Sequence, residues 1–207
     1  MNISYAITVC NELSEIQRLI SHLLKHKRKQ DEIVVVYDSI NGSSGVEEFL
    51  RSHSVNDEFK WYPYAFDNNF ADLKNYLTAL CNRDYIFQID ADEIPHETLM
   101  ENLPEILSSN DIEVILVPRV NTVDGLTDEH IQKWGWRVNQ EGWVNWPDYQ
   151  WRIYKKDYPK IKWDGKVHEK IVGYSTYTWL PEDPLLSLQH HKTIQKQEKQ
   201  NNLYNSL

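Results

Sequence analysis

The chain has 207 residues, 41% of them hydrophobic, enough to bury the core of one α/β domain and too apolar for disorder. Its 22 basic and 31 acidic residues leave a formal charge of −9, the wrong sign for a protein that grips nucleic-acid phosphates. Two cysteines, Cys10 and Cys81, make no secreted disulfide framework, Met1 to Asn11 lacks a signal-peptide pattern, and no apolar run exceeds strand length, so the expected compartment is the cytoplasm.

Ile3 to Cys10 reads as a buried strand with Asn11-Glu12 as its exit loop. Ser14 is placed to cap a helix over Glu15 to Lys27, with Ile16, Leu19, Ile20, Leu23 and Leu24 on one face. The β-branched run Ile33 to Tyr37 predicts a second strand, closed by Asp38-Ser39-Ile40-Asn41-Gly42. A short helix over Val46 to Ser52, a strand at Phe59 to Tyr62, a helix over Ala71 to Leu80 and a strand at Tyr85 to Ile89 follow. Such alternation predicts an open parallel sheet of the nucleotide-binding kind. Glu93-Ile94-Pro95 is expected to open a helix, and Val114 to Val120 to form one strand with no clean helix after it. From there the texture changes. Trp134 to Tyr177 holds short aromatic-rich strands broken by Gly turns, and all but one of the eight tryptophans lie at or beyond Trp134. The Lys- and Gln-rich tail after His191 reads as an exposed helix. The expected organisation is a single domain over 1–207, with a nucleotide-binding half (1–93) and an acceptor-side half (94–207).

Ligands of open parallel sheets bind at the carboxyl ends of the strands. Three such ends carry polar groups here: Asn11 with Glu12, Asp38, and Asp90 with Asp92. On an extended segment Asp90 and Asp92 point the same way, and Ala91 between them is small enough for close approach. Two hard oxygen ligands at this spacing suit Mg²⁺ or Mn²⁺, which usually bind substrate phosphates as well. The plainer reading is a solvated turn ahead of a helix near Pro95. An apolar strand ending at Asp90 favours the metal site.

Tyr85-Ile-Phe-Gln-Ile-Asp-Ala-Asp-Glu93, preceded by Phe70-Ala-Asp-Leu-Lys-Asn75, resembles family-two glycosyltransferases of the GT-A fold. That α/β fold is a Rossmann-like, mostly parallel sheet flanked by helices, here with an aromatic-rich acceptor side. Ile7-Thr-Val-Cys-Asn-Glu12 is similar to the family's first strand and Val34-Val-Val-Tyr-Asp-Ser39 to its second. Pro147-Asp-Tyr-Gln-Trp-Arg-Ile-Tyr154, Val167-His-Glu169 and Leu188-Gln-His-His191 resemble a bacterial branch that includes lipopolysaccharide-core glucosyltransferases. The likeness covers nearly the whole chain, with the motifs in family order.

The resemblance implies an inverting, metal-dependent hexosyltransferase. Its donor is a nucleotide-diphosphate sugar, a UDP-sugar being favoured, and its acceptor a hydroxyl of a glycan or glycolipid, which would make the enzyme peripheral at a membrane. Thr8, Asn11, Glu12 and Asp38 are implied to surround the donor's base and ribose, and Lys74 to lie near the nucleotide or its phosphates. Asp90 would reach the ribose or a metal-bound water, and Asp92 would bind the Mn²⁺ or Mg²⁺ directly, with His190 or its neighbour His191 completing the site. The family's acidic pair follows an aromatic-glycine loop, which here reads Trp163-Asp-Gly-Lys-Val-His-Glu169. Glu169 is therefore the implied catalytic base, and Asp148, entering a strand after Pro147, is its rival.

Each assignment has a plainer counterpart. Asp38 suits an ordinary turn, Glu169 a pair with Lys166 or Lys170, and His168 a structural role. Arg152 reads as a partner of the diphosphate or, preferred, of an acid across the sheet. Trp134, Trp136, Trp143 and Trp146 either line an acceptor cleft or fill a platform short of helices. Two rival functions remain: a sugar nucleotidyltransferase, which would carry a Gly-rich basic loop where this chain has Asn11-Glu12-Leu13-Ser14, and an inactive carbohydrate-binding protein of the same fold.

Overall fold

The computed structural model describes the backbone of residues 1–54, 58–109 and 111–204. β1 (Ile3–Val9), β2 (Glu32–Asp38), β3 (Lys60–Tyr64) and β4 (Tyr85–Asp90) are parallel, in spatial order β4-β1-β2-β3. They are joined by α1 (Leu13–His26), α2 (Ser44–His53) and α3 (Phe70–Leu80). The first helix begins earlier than expected. Glu12 is its N-cap residue, and the Ser14 hydroxyl donates to the Glu15 carboxylate (2.7 Å) instead of capping.

Strands from beyond residue 93 extend the same sheet. β6 (Val114–Val117), β8 (Gln150–Lys155) and β11 (Tyr177–Trp179) complete the order β11-β6-β8-β4-β1-β2-β3, with β8 antiparallel to β4 and β6. The strand expected over Val114 to Val120 is cut at Pro118, which has no N–H for a ladder. After it β7 (Arg119–Asp124) leaves for a second sheet, β5-β12-β7, made with β5 (Glu93–Pro95) and β12 (Leu188–Thr193). So Glu93-Ile94-Pro95 is a strand and not a helix start: its backbone pairs with β12, and α4 (Glu97–Ser109) begins only afterwards. α5 (Asp128–Trp134), a short helix the sequence pattern did not show, is capped by Thr127 and closed by Gly135 at φ 64°. A hairpin of β9 (Lys162–Asp164) and β10 (Lys170–Val172), and a C-terminal helix α6 (Ile194–Tyr204), complete the chain.

Alternation along the parallel strands sorts side chains onto two faces. Ile3, Tyr5, Ile7 and Val9 of β1, Ile33, Val35 and Tyr37 of β2, and Tyr85, Phe87 and Ile89 of β4 pack with the apolar stripes of α1, α2 and α4 in the larger core. Ala6, Val34, Val36 and Ile86 point the other way, toward Leu73 and Leu77 of α3 and Trp163 and Ile171 of the hairpin. Thr8, Asp38 and Asp90 continue that second series at the strands' carboxyl ends, so parity alone delivers them to the α3 face. The hairpin is tied to α3 reciprocally: Asn75 donates to the Trp163 carbonyl and accepts from its N–H, both at 2.9 Å. The Phe70 N–H adds a bond to the Lys166 carbonyl (3.0 Å).

Candidate active site

A cleft of about 1060 Å³ opens at the carboxyl ends of the parallel strands on this face. Thr8, Asn11, Glu12, Asp38, Lys74, Asp90, Asp92, Asp148, Glu169 and His190 all line it. His191 does not. It is exposed on the far side of β12, bonded to Thr122 (2.9 Å) and Asp124 (3.1 Å), which leaves His190 as the histidine of the cleft.

Asp90 and Asp92 do not share an extended segment. Asp90 ends β4, and Ala91 and Asp92 form a turn before β5. The two carboxylates therefore reach the cleft with different partners. Asp90 Oδ1 accepts from Gln88 Nε2 (3.0 Å) and Thr8 Oγ1 (3.4 Å), and its Oδ2 from Arg152 Nη2 (2.5 Å). Desolvation opposes ionisation of Asp90, but Arg152, then Lys74, outweigh it and hold the carboxyl well below the usual range.

Asp92 Oδ2 faces His190 Nε2 at 3.4 Å and Lys192 Nζ at 3.5 Å. Desolvation again works against the charge and the Lys192 ammonium favours it, and this carboxyl too is held below its usual range. His190 Nδ1 lies 2.7 Å from Asn121 Oδ1, while Asn121 Nδ2 donates to Asp148 Oδ2 (2.7 Å). The amide oxygen must accept, so the imidazole carries its proton on Nδ1, and burial keeps the ring neutral by pushing its pKa down. The Nε2 lone pair then faces the Asp92 carboxylate. Two such acceptors at 3.4 Å fit a shared cation, the imidazole being fixed from behind as ligating histidines usually are. Among the described residues no three His, Cys, Asp or Glu side chains gather as a metal cage. A cation here would draw its remaining ligands from substrate phosphate and water, as Mg²⁺ and similar ions usually do.

Behind these groups runs a buried charge network that closes on itself. Glu93, fully buried, accepts on Oε1 from Arg152 Nη2 (2.7 Å) and Arg119 Nη1 (2.8 Å), and on Oε2 from the Asp90 N–H (3.2 Å). Arg119 also donates to Asp148 Oδ2 from Nε (2.9 Å) and Nη2 (2.7 Å). The path runs Asp90–Arg152–Glu93–Arg119–Asp148–Asn121–His190–Asp92, linking both ends of the acidic turn. Arg152 thus pairs with acids across the sheet, the preferred reading. Its aim comes from a β-bulge: between the pairs Ile115↔Ile153 and Leu116↔Trp151, residue 152 has no opposite number. A bulge turns two successive side chains toward one side, and Arg152 and Trp151 both line the cleft.

The remaining expected residues divide. Glu169 follows a hairpin loop in which Gly165 and His168 hold positive φ (101° and 57°). Its Oε1 accepts from Lys74 Nζ at 2.6 Å, so its partner is neither Lys166 nor Lys170. Lys74 also lies 4.4 Å from the centroid of the Trp163 ring, and the lysine expected at the phosphates is docked on the cleft wall. Asp38 serves its own turn, accepting from the Ile40 N–H (2.9 Å), the Asn41 N–H (3.1 Å) and Asn41 Nδ2 (2.9 Å). Glu12 Oε2 likewise fixes its loop through the N–H groups of Cys10 and Asn11, both at 2.9 Å. Asp148 sits in a loop at φ 36° before β8 begins, and not within a strand. Of the four tryptophans expected at the cleft only Trp136 lines it, joined by Trp151 and Trp163. Trp134 stacks on His130 instead, and Trp143 packs on Trp146. Arg119, Asn121, Glu93 and Gln88 were not singled out by sequence.

Six acidic and six basic residues line the cleft, so its formal charge is zero on a chain that carries −9. Relative to the rest of the surface the cleft favours an anion. Lys192, Lys196 and Lys199 contribute to this from β12 and α6.

An acidic turn at the end of a central parallel strand, faced by a neutral histidine in a near-neutral cleft, belongs with sugar- and nucleotide-handling α/β enzymes. The profile of glycosyl transferase family 2 matches residues 4–178, and the chain belongs to that family. No curated protein matches it by sequence. Among solved structures, residues 1–349 of S. aureus TarS in complex with UDP superpose with a TM-score of 0.65 at 12% identity, covering 94% of this chain and 61% of that one. The same fragment with UDP-GlcNAc gives 0.65 at 12% identity, covering 93% and 59%. The mannosyltransferase PcManGT of Pyrobaculum calidifontis, in complex with GDP-Man and Mn²⁺, gives 0.50 at 15% identity, covering 56% and 35%. The chain therefore spans about three fifths of the TarS fragment it matches. At these identities the likeness speaks for the fold, which is GT-A: a mostly parallel mixed sheet flanked by helices.

Proposed function

We propose that this chain transfers a hexose from a UDP-linked donor to a hydroxyl of a glycan or glycolipid, with inversion at the anomeric carbon. The observation that carries the proposal is the pairing of Asp92 with a histidine whose Nε2 lone pair is turned toward it by Asn121. The UDP and UDP-GlcNAc complexes of TarS support a uridine donor, and the Mn²⁺ in PcManGT supports a divalent cation held by Asp92 and His190. Bound there, such a cation would stabilise the negative charge of the departing diphosphate. Asp90, bonded to Arg152, Gln88 and Thr8, is fixed at the floor of the donor site, where it would reach the ribose or a metal-bound water.

In this reading the acceptor hydroxyl attacks the anomeric carbon as the bond to the diphosphate breaks, and its proton passes to a carboxylate. Glu169 suits that role better than Asp148. Asp148 already accepts three bonds on Oδ2 and one from Gln150 on Oδ1 (3.1 Å), so both of its oxygens are engaged. Glu169 accepts a single bond, on Oε1, leaving Oε2 for the proton. The two cysteines are free thiols, as suits work in the reducing cytoplasm.

Thermal-shift measurements with UDP and Mn²⁺, separately and together, test the proposal. A ligand that binds only the folded state raises the melting point by mass action. The pair together should shift it more than the two single shifts combined, and Asp92→Asn should abolish that synergy while leaving the apo melting point nearly unchanged. Equal UDP shifts with and without metal would remove the cation from the reading. No shift with any nucleoside diphosphate would remove the donor.

A further inference from the structure

The face of the sheet that carries the cleft ends, at its far edge, in a ledge of aromatic side chains. It starts with Trp151, which the β8 bulge turns into the cleft wall. Trp151 is in register with Leu116 of β6, and Leu116 with Trp179 of the edge strand β11, so one row runs outward across three strands. Tyr174 and Tyr177 thicken it. Ring centroids lie 5.6 Å apart for Trp151–Tyr174, 5.6 Å for Tyr174–Tyr177 and 5.0 Å for Tyr177–Trp179. Tyr177 and Trp179 sit two residues apart on one side of β11 and are 47% and 50% exposed. Edge strands are ordinarily blunted by charge, proline or brevity. This one is short, yet it presents its largest rings to solvent.

We propose that the ledge binds the non-reacting sugars of an extended oligosaccharide acceptor whose reacting end enters the cleft past Trp151. The proposal rests on the glycosyltransfer reading above. Trp and Tyr rings combine a broad apolar face with a polar tip, which matches a pyranose with its C–H face ringed by hydroxyls. Among the described residues neither the Tyr174 nor the Tyr177 hydroxyl has a hydrogen-bond partner, so both remain available to sugar hydroxyls. Continuity selects this occupant over others, because a ligand held in the cleft and leading outward along the row meets Trp151, then the ledge. A net charge of −9 disfavours an anionic membrane surface. A second copy adding a strand to β11 would find only three residues to pair with.

The probes are an array of matched disaccharides and hexasaccharides of common hexose and N-acetylhexosamine linkages, with UDP affinity measured alongside. The proteins are the wild type, Trp179→Ala and the double variant Tyr177→Ala/Trp179→Ala. Both positions are exposed, so the variants should keep the wild-type melting point. The best hexasaccharide should bind the wild type about tenfold or more tightly than its disaccharide, in keeping with loss of a buried aromatic anchor. That advantage should vanish in the variants while UDP affinity stays unchanged. No retained oligosaccharide, or a length advantage that survives both variants, overturns the proposal. So would ledge-dependent binding to phosphatidylcholine/phosphatidylglycerol vesicles, or ledge-dependent dimerisation, in place of the length effect. A length effect without any nucleotide binding would leave the ledge as a glycan site and sink the transfer reading instead.

Discussion

The two faces of the seven-stranded sheet are made by the same strands, and they differ in how alternation is used. On the α1, α2 and α4 side every second residue is hydrocarbon or an aromatic ring up to the strand ends, and the face closes into one core. On the α3 side the series is apolar in the middle, at Ala6, Val34, Val36 and Ile86, and polar at the carboxyl ends, at Thr8, Asp38, and Gln88 with Asp90. The polar end needs partners that the strands themselves lack. Arg152, Glu93 and Arg119 come from elements added on the far side, and they neutralise one another in sequence. Burial of charge is costly unless pairing is nearly complete. The difference teaches that the first face carries stability alone, while the second ties stability and chemistry to the same contacts.

One substitution on each face breaks the comparison most directly. Arg152→Met would leave Glu93 and Asp90 without their shared cation, and removing one partner of a buried ion pair costs about 3–5 kcal/mol. Leu19→Ala, in the closed core, should cost a similar amount, about 2–5 kcal/mol. Urea unfolding reads both losses, and calorimetry on the remaining folded protein separates them. Leu19→Ala should bind UDP as the wild type does, and Arg152→Met should bind it far more weakly. An Arg152→Met protein with wild-type stability would show that the charges do not act as a unit.

The closed face was the legible one. Its strands and helices up to Asp90 follow from short-range periodicity, and each observed element falls within a few residues of its expected place. Asp90, Asp92 and His190 were legible as ligand types, and all three reach the cleft. Their mutual arrangement was not. Arg119 and Asp148 are 29 residues apart and Arg152 and Asp90 are 62 apart, so no local period couples them. The β8 bulge inverts the parity that a sequence reader would assign to Trp151, and Pro118 sends Arg119 and Asn121 into a sheet whose other strands lie at residues 93–95 and 188–193. The turn at Ala91-Asp92 arises because Glu93 to Pro95 pair with β12, a contact of high sequence separation. Tryptophan content pointed to the right half of the chain and, of the three tryptophans that line the cleft, to Trp136 alone, since composition does not tell a ring in the cleft wall from one stacked on its neighbour.

The next sharpening falls within the polar face, between its two candidate bases. Glu169→Gln should lower turnover by about 10²–10⁴-fold, the usual contribution of a general base, with UDP affinity unchanged. Asp148→Asn places an amide against Arg119 and should act mainly on stability, by about 1–3 kcal/mol for a disrupted buried bond to a charged group. Single-turnover donor hydrolysis and urea unfolding on both variants report the two effects. A turnover loss in Asp148→Asn as large as in Glu169→Gln, at unchanged stability, would move the proton to Asp148.

The smallest expected effect belongs to Asp38, and it tests whether a polar strand end must touch ligand to matter. Its carboxylate accepts from the N–H groups of Ile40 and Asn41, much as a capping side chain holds a helix start, and it lines the cleft as well. Removing such an acceptor typically costs about 0.5–2 kcal/mol, so Asp38→Ala should lose that much stability and some UDP affinity with it. Asp38→Asn keeps one oxygen that can accept from the same two N–H groups and should recover most of the stability. If UDP affinity recovers in step, the carboxylate acts by shaping the turn that borders the nucleotide. If the asparagine variant is stable yet binds UDP about tenfold more weakly, about 1.4 kcal/mol, the second oxygen reads the donor directly, and the turn bonds seen here are a secondary use of the group.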